Sequence, residues 1–101
     1  MDRGAVGMTH ENGSWTREVQ VVNPLGIHAR PAGKICQTAG RFTSQIFLET
    51  EAGAVDAKSI LDILTLAAPR GTRVCIRAHG PDAQEAVEAV AQLFVDRFGE
   101  E

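Results

Sequence analysis

The sequence predicts an α+β fold, an open-faced two-layer β-α-β-β-α-β-α arrangement with a four-stranded antiparallel sheet covered on one face by three helices. Its candidate strands alternate apolar and polar residues, as strands do when one face of an antiparallel sheet meets water. Segments with helical spacing of apolar residues lie between and after these strands, the order typical of a two-layer α+β domain. A length of 101 residues is suited to one such domain.

Composition and charge exclude several classes of protein. Hydrophobic residues make up 44% of the chain and charged residues 23%, which excludes disordered, collagen-like and disulfide-rich proteins. No apolar run approaches the roughly 20 residues of a membrane-spanning helix, so we expect no membrane insertion. The net charge of −3 argues against binding to nucleic acid. Cys36 and Cys75 lack CxxC spacing, which predicts two unpaired thiols in a cytoplasmic protein.

Residues 1–15 are expected to form a flexible N-terminal tail, and residues 16–101 the folded domain. The segment before Trp15 holds three glycines and few large apolar residues, and it shows no sustained period. It also lacks the apolar stretch of a secretory signal.

The first half of the domain predicts a strand, a loop and a helix. Val19 and Val21 alternate with polar neighbours, and Asn23-Pro24-Leu25-Gly26 then breaks the strand. Apolar residues recur at helical spacing as far as Gly40, at Ala32, Ile35, Cys36 and Ala39. Pro31 is tolerated in a first turn, which places the start of this helix close to His28.

The second half predicts three strands and two helices. Gln45–Thr50 and a short segment at Val55 and Ala57 are strands, and Thr72–His79 alternates between inward and outward residues. Ser59 with Asp62, and Asp82 with Glu85, resemble capping boxes that open the last two helices. The final helix carries an apolar stripe of Ala83, Ala86, Val87, Val90, Phe94 and Phe98. The predicted core consists of Leu25, Ile35, Phe42, Ile46, Leu48, Ile63, Leu66, Val74, Ile76, Val87, Val90 and Phe94.

His28 is the residue best placed to take part in a chemical reaction. A helix N-terminus carries about half a positive charge and several unpaired N–H groups. This environment disfavours a protonated imidazole, so a ring nitrogen keeps the lone pair that a nucleophile needs. A phosphoryl group accepted there would face the same N–H groups and the Arg30 guanidinium. From position alone, a histidine that only caps the helix is the more frequent case.

Ser59 has two interpretations of the same kind. A serine before an apolar helix is usually only an N-cap, worth about 1 kcal/mol. Alternatively it is a phosphorylation site, whose charge would fall on the apolar surface formed by Ile60, Leu61 and Leu64. The three histidines are too scattered along the chain to predict a metal site.

The run Asn23-Pro24-Leu25-Gly26-Ile27-His28-Ala29-Arg30-Pro31-Ala32 resembles the signature of HPr, the histidine-containing phosphocarrier family of the bacterial phosphotransferase system. The resemblance continues through Gly40-Arg41-Phe42, Ala57-Lys58-Ser59-Ile60 and Arg70-Gly71-Thr72 to the closing amphipathic helix. It therefore covers nearly everything from Thr16 onward, and the joined histidine and serine segments make it specific.

The resemblance implies a function for each of these residues. His28 would be phosphorylated on Nδ1 by Enzyme I, which draws on phosphoenolpyruvate, and would pass the group to an EIIA-type domain with help from Arg30. A partly exposed docking surface would be formed by Leu25, Ile27, Ile60, Leu61 and Leu64. Ser59 would match the serine phosphorylated by HPr kinase/phosphorylase in some branches. The family implies a covalent relay rather than an enzyme, with no cofactor or metal, and we expect a monomer.

Departures from the family pattern keep two alternatives open. Gln37 and Asp62 stand where sugar-transport carriers often place lysines, which would weaken steering toward acidic partners. The ending Gln92–Phe98 with two terminal acids also resembles NPr, the carrier of the nitrogen-related phosphotransferase system. The other alternative is a regulatory binding module controlled through Ser59. An RNA-binding domain is disfavoured by the acidic charge and the lack of a base-stacking strand.

Overall fold

Three helices pack on one face of a five-stranded antiparallel sheet in the structure, a computed structural model that describes residues 7–100. The strands are β1 (Met8–Glu11), β2 (Ser14–Gln20), β3 (Gln45–Thr50), β4 (Gly53–Asp56) and β5 (Arg73–His79). The helices are α1 (Ala29–Ala39), α2 (Ile60–Thr65) and α3 (Ala83–Val95), followed by a 3-10 turn at Arg97–Gly99. The sheet order is β1-β2-β5-β3-β4. The predicted α+β class is confirmed, with one strand more than expected.

The sheet separates an apolar face from a polar one because its strands alternate. Val19 lies opposite Val74, and Leu48 lies opposite Ile76, so these side chains share the face under the helices, where they are buried. On the other face Arg77 of β5 donates to both carboxylate oxygens of Glu49 on β3, at 2.8 and 3.1 Å. The predicted inward direction of Val74, Ile76 and Ala78 is therefore confirmed.

The additional strand lies where the sequence predicted a tail. Asn12 and Gly13 have φ angles of 52° and 80°, and they join β1 to β2 in a tight hairpin. A two-residue hairpin turn with both φ angles positive favours Asn-Gly. The His10 ring stacks on Trp15 at 4.3 Å between centroids. The tail prediction is thus wrong from Met8 onward, and its first six residues lie outside the described part of the chain.

The two predicted capping boxes have different outcomes. Ser59 is the N-cap of α2, and its Oγ accepts a hydrogen bond from the Asp62 backbone N–H at 3.3 Å, as predicted. Asp82 is the N-cap of α3, but its side chain does not cap the helix. Its carboxylate instead accepts from the backbone N–H of Thr43 and from the N–H and hydroxyl of Ser44. The second capping box is therefore wrong, because a tertiary contact with the α1–β3 loop takes the carboxylate.

The core matches the predicted set with two exceptions. Leu25 is 77% exposed, and Phe42 is only half-buried at the edge of the core. The apolar stripe of α3 is buried as predicted, and Phe98 continues it beyond the helix end. Leu25 is exposed because it sits in the loop before α1, where no element of residues 7–100 covers it.

The Asp82 carboxylate predicts a pH dependence of stability. Its three donors hold the pKa of Asp82 at about 2, below the ordinary value of 3.8. A lowered native pKa adds stability above the ordinary value, which is lost as the pH falls toward the native value. We expect Asp82→Asn to destabilise the protein above pH 4 and to lose this effect near pH 2.

Urea unfolding of both proteins across this pH range measures the difference in free energy of unfolding. Glu85→Gln, at an exposed position on α3, is the control for removing one carboxylate. A difference between wild type and Asp82→Asn that stays constant from pH 7 to pH 2 would contradict the role given to this carboxylate.

Candidate functional site

His28 begins α1, as its position in the sequence predicted. It is the N-cap residue with extended backbone angles, and its carbonyl accepts the hydrogen bond of Ala32 at 3.0 Å. Pro31 occupies the first turn, where its missing N–H breaks no helical bond. The His28 side chain therefore leaves the backbone at the point where the helix dipole is positive.

The loop before His28 is held by hydrogen bonds to backbone carbonyl groups. Asn23 is fully buried, and its Nδ2 donates to the Gly26 carbonyl at 2.7 Å. Gly26 has a φ of +70°, and a Cβ there would lie 2.4 Å from the Ala68 carbonyl oxygen. The Ile27 N–H donates to that same oxygen at 2.9 Å. Only glycine is compatible with this turn, which aims the chain into α1.

The two ring nitrogens of His28 have different surroundings. Nε2 lies 3.0 Å from Oε2 and 3.3 Å from Oε1 of Glu100. Among residues 7–100, no partner lies within hydrogen-bond distance of Nδ1. The side chain is 35% exposed. One nitrogen is thus tied to a carboxylate, while the ring remains reachable from solvent, as expected.

The start of α1 offers donors for an anion. The backbone N–H groups of Ala29 and Arg30 come too early in the helix for an intrahelical acceptor, and the described residues supply no other. The Arg30 side chain is exposed, and within the same part of the chain its guanidinium has neither a hydrogen bond nor an ion pair. These three groups are available to the oxygens of a phosphoryl group on His28.

Four of the five predicted docking residues are exposed. We define the exposed apolar patch as Leu25, Ile60, Leu61 and Leu64. Leu61 is 73% exposed, and Ile60 lies against α1, 3.7 Å from where a Cβ on Gly33 would be. This contact places Ile60 little more than one helical turn along α1 from His28.

Ile27 is the exception, and the expectation that its side chain is partly exposed is wrong. It is 5% exposed and belongs to the core. The hydrogen bond from its N–H to Ala68 holds this part of the loop against the chain that follows α2. The side chain of Ile27 is consequently directed inward, while that of Leu25 faces water.

Ser59 is half-buried beside the exposed apolar patch. Its Oγ caps α2, and the next two residues are Ile60 and Leu61. The preceding Lys58 donates from Nζ to the Phe42 carbonyl at 2.7 Å, which anchors this segment to the loop between α1 and β3. A charge added to Ser59 would therefore lie at the border of the patch.

Other chemistry-bearing groups lie apart from His28. Cys36 and Cys75 are unpaired, as predicted. Within residues 7–100, three or more His, Cys, Asp or Glu residues nowhere gather as metal ligands would. The helices of that same stretch are all too short or too polar to cross a bilayer.

Sequence reasoning missed two members of the site, Asn23 and Glu100. The sequence places Asn23 in a strand break and in the family motif, and Glu100 among two terminal acids, without indicating that the two contact each other beside His28. The Asn23 amide donates to Oε1 of Glu100 at 3.0 Å, across 77 positions of sequence. No local pattern could have revealed a contact that depends on the chain turning back after α3.

Comparison with known proteins adds independent findings. The family model described as PTS HPr component phosphorylation site matches residues 15–96. Phosphocarrier protein HPr of Cupriavidus necator is 44% identical over 84 residues, which cover 83% of this chain and 94% of that protein. HPr-like protein Crh of Bacillus subtilis is 45% identical over 75 residues, 74% of this chain and 88% of that protein.

Solved structures show the same similarity. HPr-C-His from Thermoanaerobacter tengcongensis superposes with a TM-score of 0.81 at 41% identity, covering 85% of this chain and 97% of that one. A phosphocarrier protein HPr from Bacillus anthracis gives a TM-score of 0.78 at 41% identity, covering 82% and 99%.

The different burial of Ile27 and Leu61 predicts different effects of truncation. Ile27→Ala should lower the free energy of unfolding by about 2–5 kcal/mol, because it leaves a cavity in the core. Leu61→Ala should change it by less than about 0.5 kcal/mol, because the side chain already faces water. Chemical denaturation of both variants measures this, and equal losses would contradict the boundary drawn between core and patch.

Proposed function

Since the chain belongs to the HPr family of phosphocarrier proteins, we propose that it accepts a phosphoryl group from phospho-Enzyme I on Nδ1 of His28 and donates it to an EIIA-type domain. The observation that carries this proposal is the asymmetry of the His28 ring. Nε2 is bonded to Glu100, while no residue in the described part of the chain bonds to Nδ1. An unpartnered ring nitrogen on a reachable side chain is suited to nucleophilic attack on phosphorus.

The transfer forms a bond from Nδ1 to phosphorus as the bond from phosphorus to the donor breaks. The incoming oxygens would meet the N–H groups of Ala29 and Arg30 and the Arg30 guanidinium. A helix terminus stabilises an anion by about 0.3–1 kcal/mol at an exposed site. Such modest stabilisation suits a carrier, because the phosphoryl group must also leave. In the transfer to the second partner, the bond from Nδ1 to phosphorus breaks as the bond from phosphorus to the new acceptor forms.

The relatives favour the sugar phosphotransferase system over the nitrogen-related branch. Those from Cupriavidus necator and Xylella fastidiosa are both named phosphocarrier protein HPr, so the NPr alternative is not favoured. We infer a cytoplasmic relay protein that leaves catalysis mainly to its partners. A single chain supplies both His28 and the exposed apolar patch, so we propose that the protein acts as a monomer. Solved relatives include dimers of HPr and Crh.

We propose that the exposed apolar patch is where both partners dock. Its four residues are large and apolar yet exposed, and Ile60 lies against the helix that His28 begins. Exposed apolar residues grouped beside a reactive side chain mark an interaction surface. Ser59 borders this patch, so its phosphorylation by HPr kinase/phosphorylase would place about −1.5 to −2 charges at the contact.

His28→Ala should abolish phosphorylation and leave the fold intact, because the ring is partly exposed and its loop is held by other residues. Incubation with Enzyme I and phosphoenolpyruvate, followed by measurement of acid-labile phosphate on the protein, tests this. His10→Ala, which removes an exposed histidine elsewhere, is the matched control and should keep the phosphate. Absence of acid-labile phosphate on the wild-type chain would contradict the proposal and favour a binding module controlled through Ser59.

Ser59→Asp should weaken binding to Enzyme I about tenfold, equivalent to ~1.4 kcal/mol, because a carboxylate must lose water beside an apolar contact. Ser59→Asn is the control, since asparagine caps a helix as well as serine does but carries no charge. Titration calorimetry measures both affinities. Equal affinities for the two variants would remove the regulatory role assigned to Ser59.

A further inference from the structure

The last described residues of the chain form a hook that returns to the start of α1. We define the C-terminal hook as Arg97–Glu100, which begins with two residues at a φ of 55°, Arg97 and Phe98. Phe98 is buried, and its ring meets Phe94 edge-to-face at 4.8 Å between centroids. The ammonium group of Lys34 on α1 donates to the Phe98 carbonyl. These contacts hold the C-terminal hook in place just ahead of Glu100 in the chain.

The hydrogen bonds that reach Glu100 have a fixed direction. The Gly26 carbonyl can only accept, so the group that faces it is the NH₂ of the Asn23 amide. That NH₂ also donates to Oε1 of Glu100 at 3.0 Å. The second carboxylate oxygen, Oε2, lies 3.0 Å from Nε2 of His28. Since a carboxylate accepts, Nε2 must carry a proton and donate it to this bond.

We propose that Glu100 is a positioning residue that keeps the ring proton of His28 on Nε2, so that the lone pair is on Nδ1 whenever the ring carries a single proton. This inference rests on the proposed phosphocarrier function and deepens it. In a neutral imidazole only one nitrogen bears the proton, and the partner of that nitrogen decides which one. Gly26, Asn23 and Glu100 together determine that the unprotonated nitrogen is Nδ1, the one that no residue among 7–100 contacts by a hydrogen bond.

The proton on Nε2 stays in place throughout the transfer. When Nδ1 forms its bond to phosphorus, the ring takes up positive charge, and the Glu100 carboxylate already faces the N–H that carries part of it. When the phosphoryl group leaves, the electron pair returns to Nδ1 and the ring is again neutral. No proton has to enter or leave the site in either direction.

Glu100 lies outside the part of the chain that the family model matches, which ends at residue 96. The hook that supports it is built from residues that follow α3. The positioning contact therefore lies outside the matched region.

Replacement by glutamine gives the sharpest test, because it keeps the shape of Glu100 and changes only the donor pattern. The Asn23 NH₂ requires an oxygen opposite it, so the amide oxygen of the new side chain faces Asn23 and its NH₂ faces His28. That NH₂ would donate to Nε2 and move the ring proton to Nδ1. Where a carboxylate orients a catalytic histidine, the isosteric amide gives the wrong tautomer and a large loss of rate.

The experiment compares full-length wild type with Glu100→Gln, Glu100→Ala and Glu85→Gln as the charge-removal control. Nitrogen-15 NMR of the unphosphorylated proteins reports the tautomer of His28, and rapid-quench assays with Enzyme I and phosphoenolpyruvate report the rate of phosphorylation. We expect Nε2–H in wild type and the control, a mixture in Glu100→Ala and Nδ1–H in Glu100→Gln. Phosphorylation should slow about tenfold in Glu100→Ala and about a hundredfold in Glu100→Gln.

Two results would overturn the inference. One is an unchanged tautomer in both Glu100 variants. The other is a glutamine variant that keeps Nε2–H but loses rate, which would show that charge alone matters. A wild-type chain that takes no phosphate on His28 would instead refute the proposed function, and the NMR comparison would still decide whether Glu100 sets the tautomer.

Discussion

The buried amide of Asn23 is the contact on which the arrangement of the site depends. It donates to the Gly26 carbonyl within the loop and to Glu100 at the end of the chain. The first bond stabilises the turn that leads His28 to the start of α1, and the second ties the C-terminal hook to the same place. Because this amide is fully buried and bonds to both the loop and the C-terminal hook, it holds the partly exposed His28 ring in place relative to the core.

The apolar residues around the site divide into buried and exposed ones, and we propose that the exposed ones serve recognition. Ile27 faces the core, whereas Leu25, two positions earlier, faces water together with the other residues of the exposed apolar patch. Exposing large apolar side chains forgoes about 1.5–3 kcal/mol each relative to full burial. A carrier that meets one partner after another can recover this free energy in each complex, which gives the exposure a functional reason.

Local patterns in the sequence predicted most of the fold. Alternation located the strands under the helices, helical spacing located α1 and α3, and the Ser59 cap located α2, because each depends on near neighbours in the chain. The hairpin of β1 departs from the predicted tail: the glycines of this segment favour a tail, whereas Asn12-Gly13 forms a tight turn that pairs β1 with β2. The Asp82 carboxylate departs from the predicted capping box because its donors lie in a distant loop.

Local patterns in the sequence likewise predicted only part of the site, because its other contacts join distant segments. The motif around His28 located the helix start, but motif membership cannot tell which of Leu25 and Ile27 points inward. The partner of Nε2 is 72 positions away from His28 and comes into place only after two residues adopt left-handed angles. Long-range contacts of this kind depend on the complete tertiary structure.

The proposed relay requires that phosphorus becomes bonded to one nitrogen of one ring. Long-range proton–nitrogen correlation NMR of the phosphorylated, nitrogen-15-labelled protein identifies that nitrogen directly. We predict coupling of phosphorus to Nδ1 of His28, with the proton retained on Nε2. Phosphorus bonded to Nε2, or found on His10 or His79, would contradict the account.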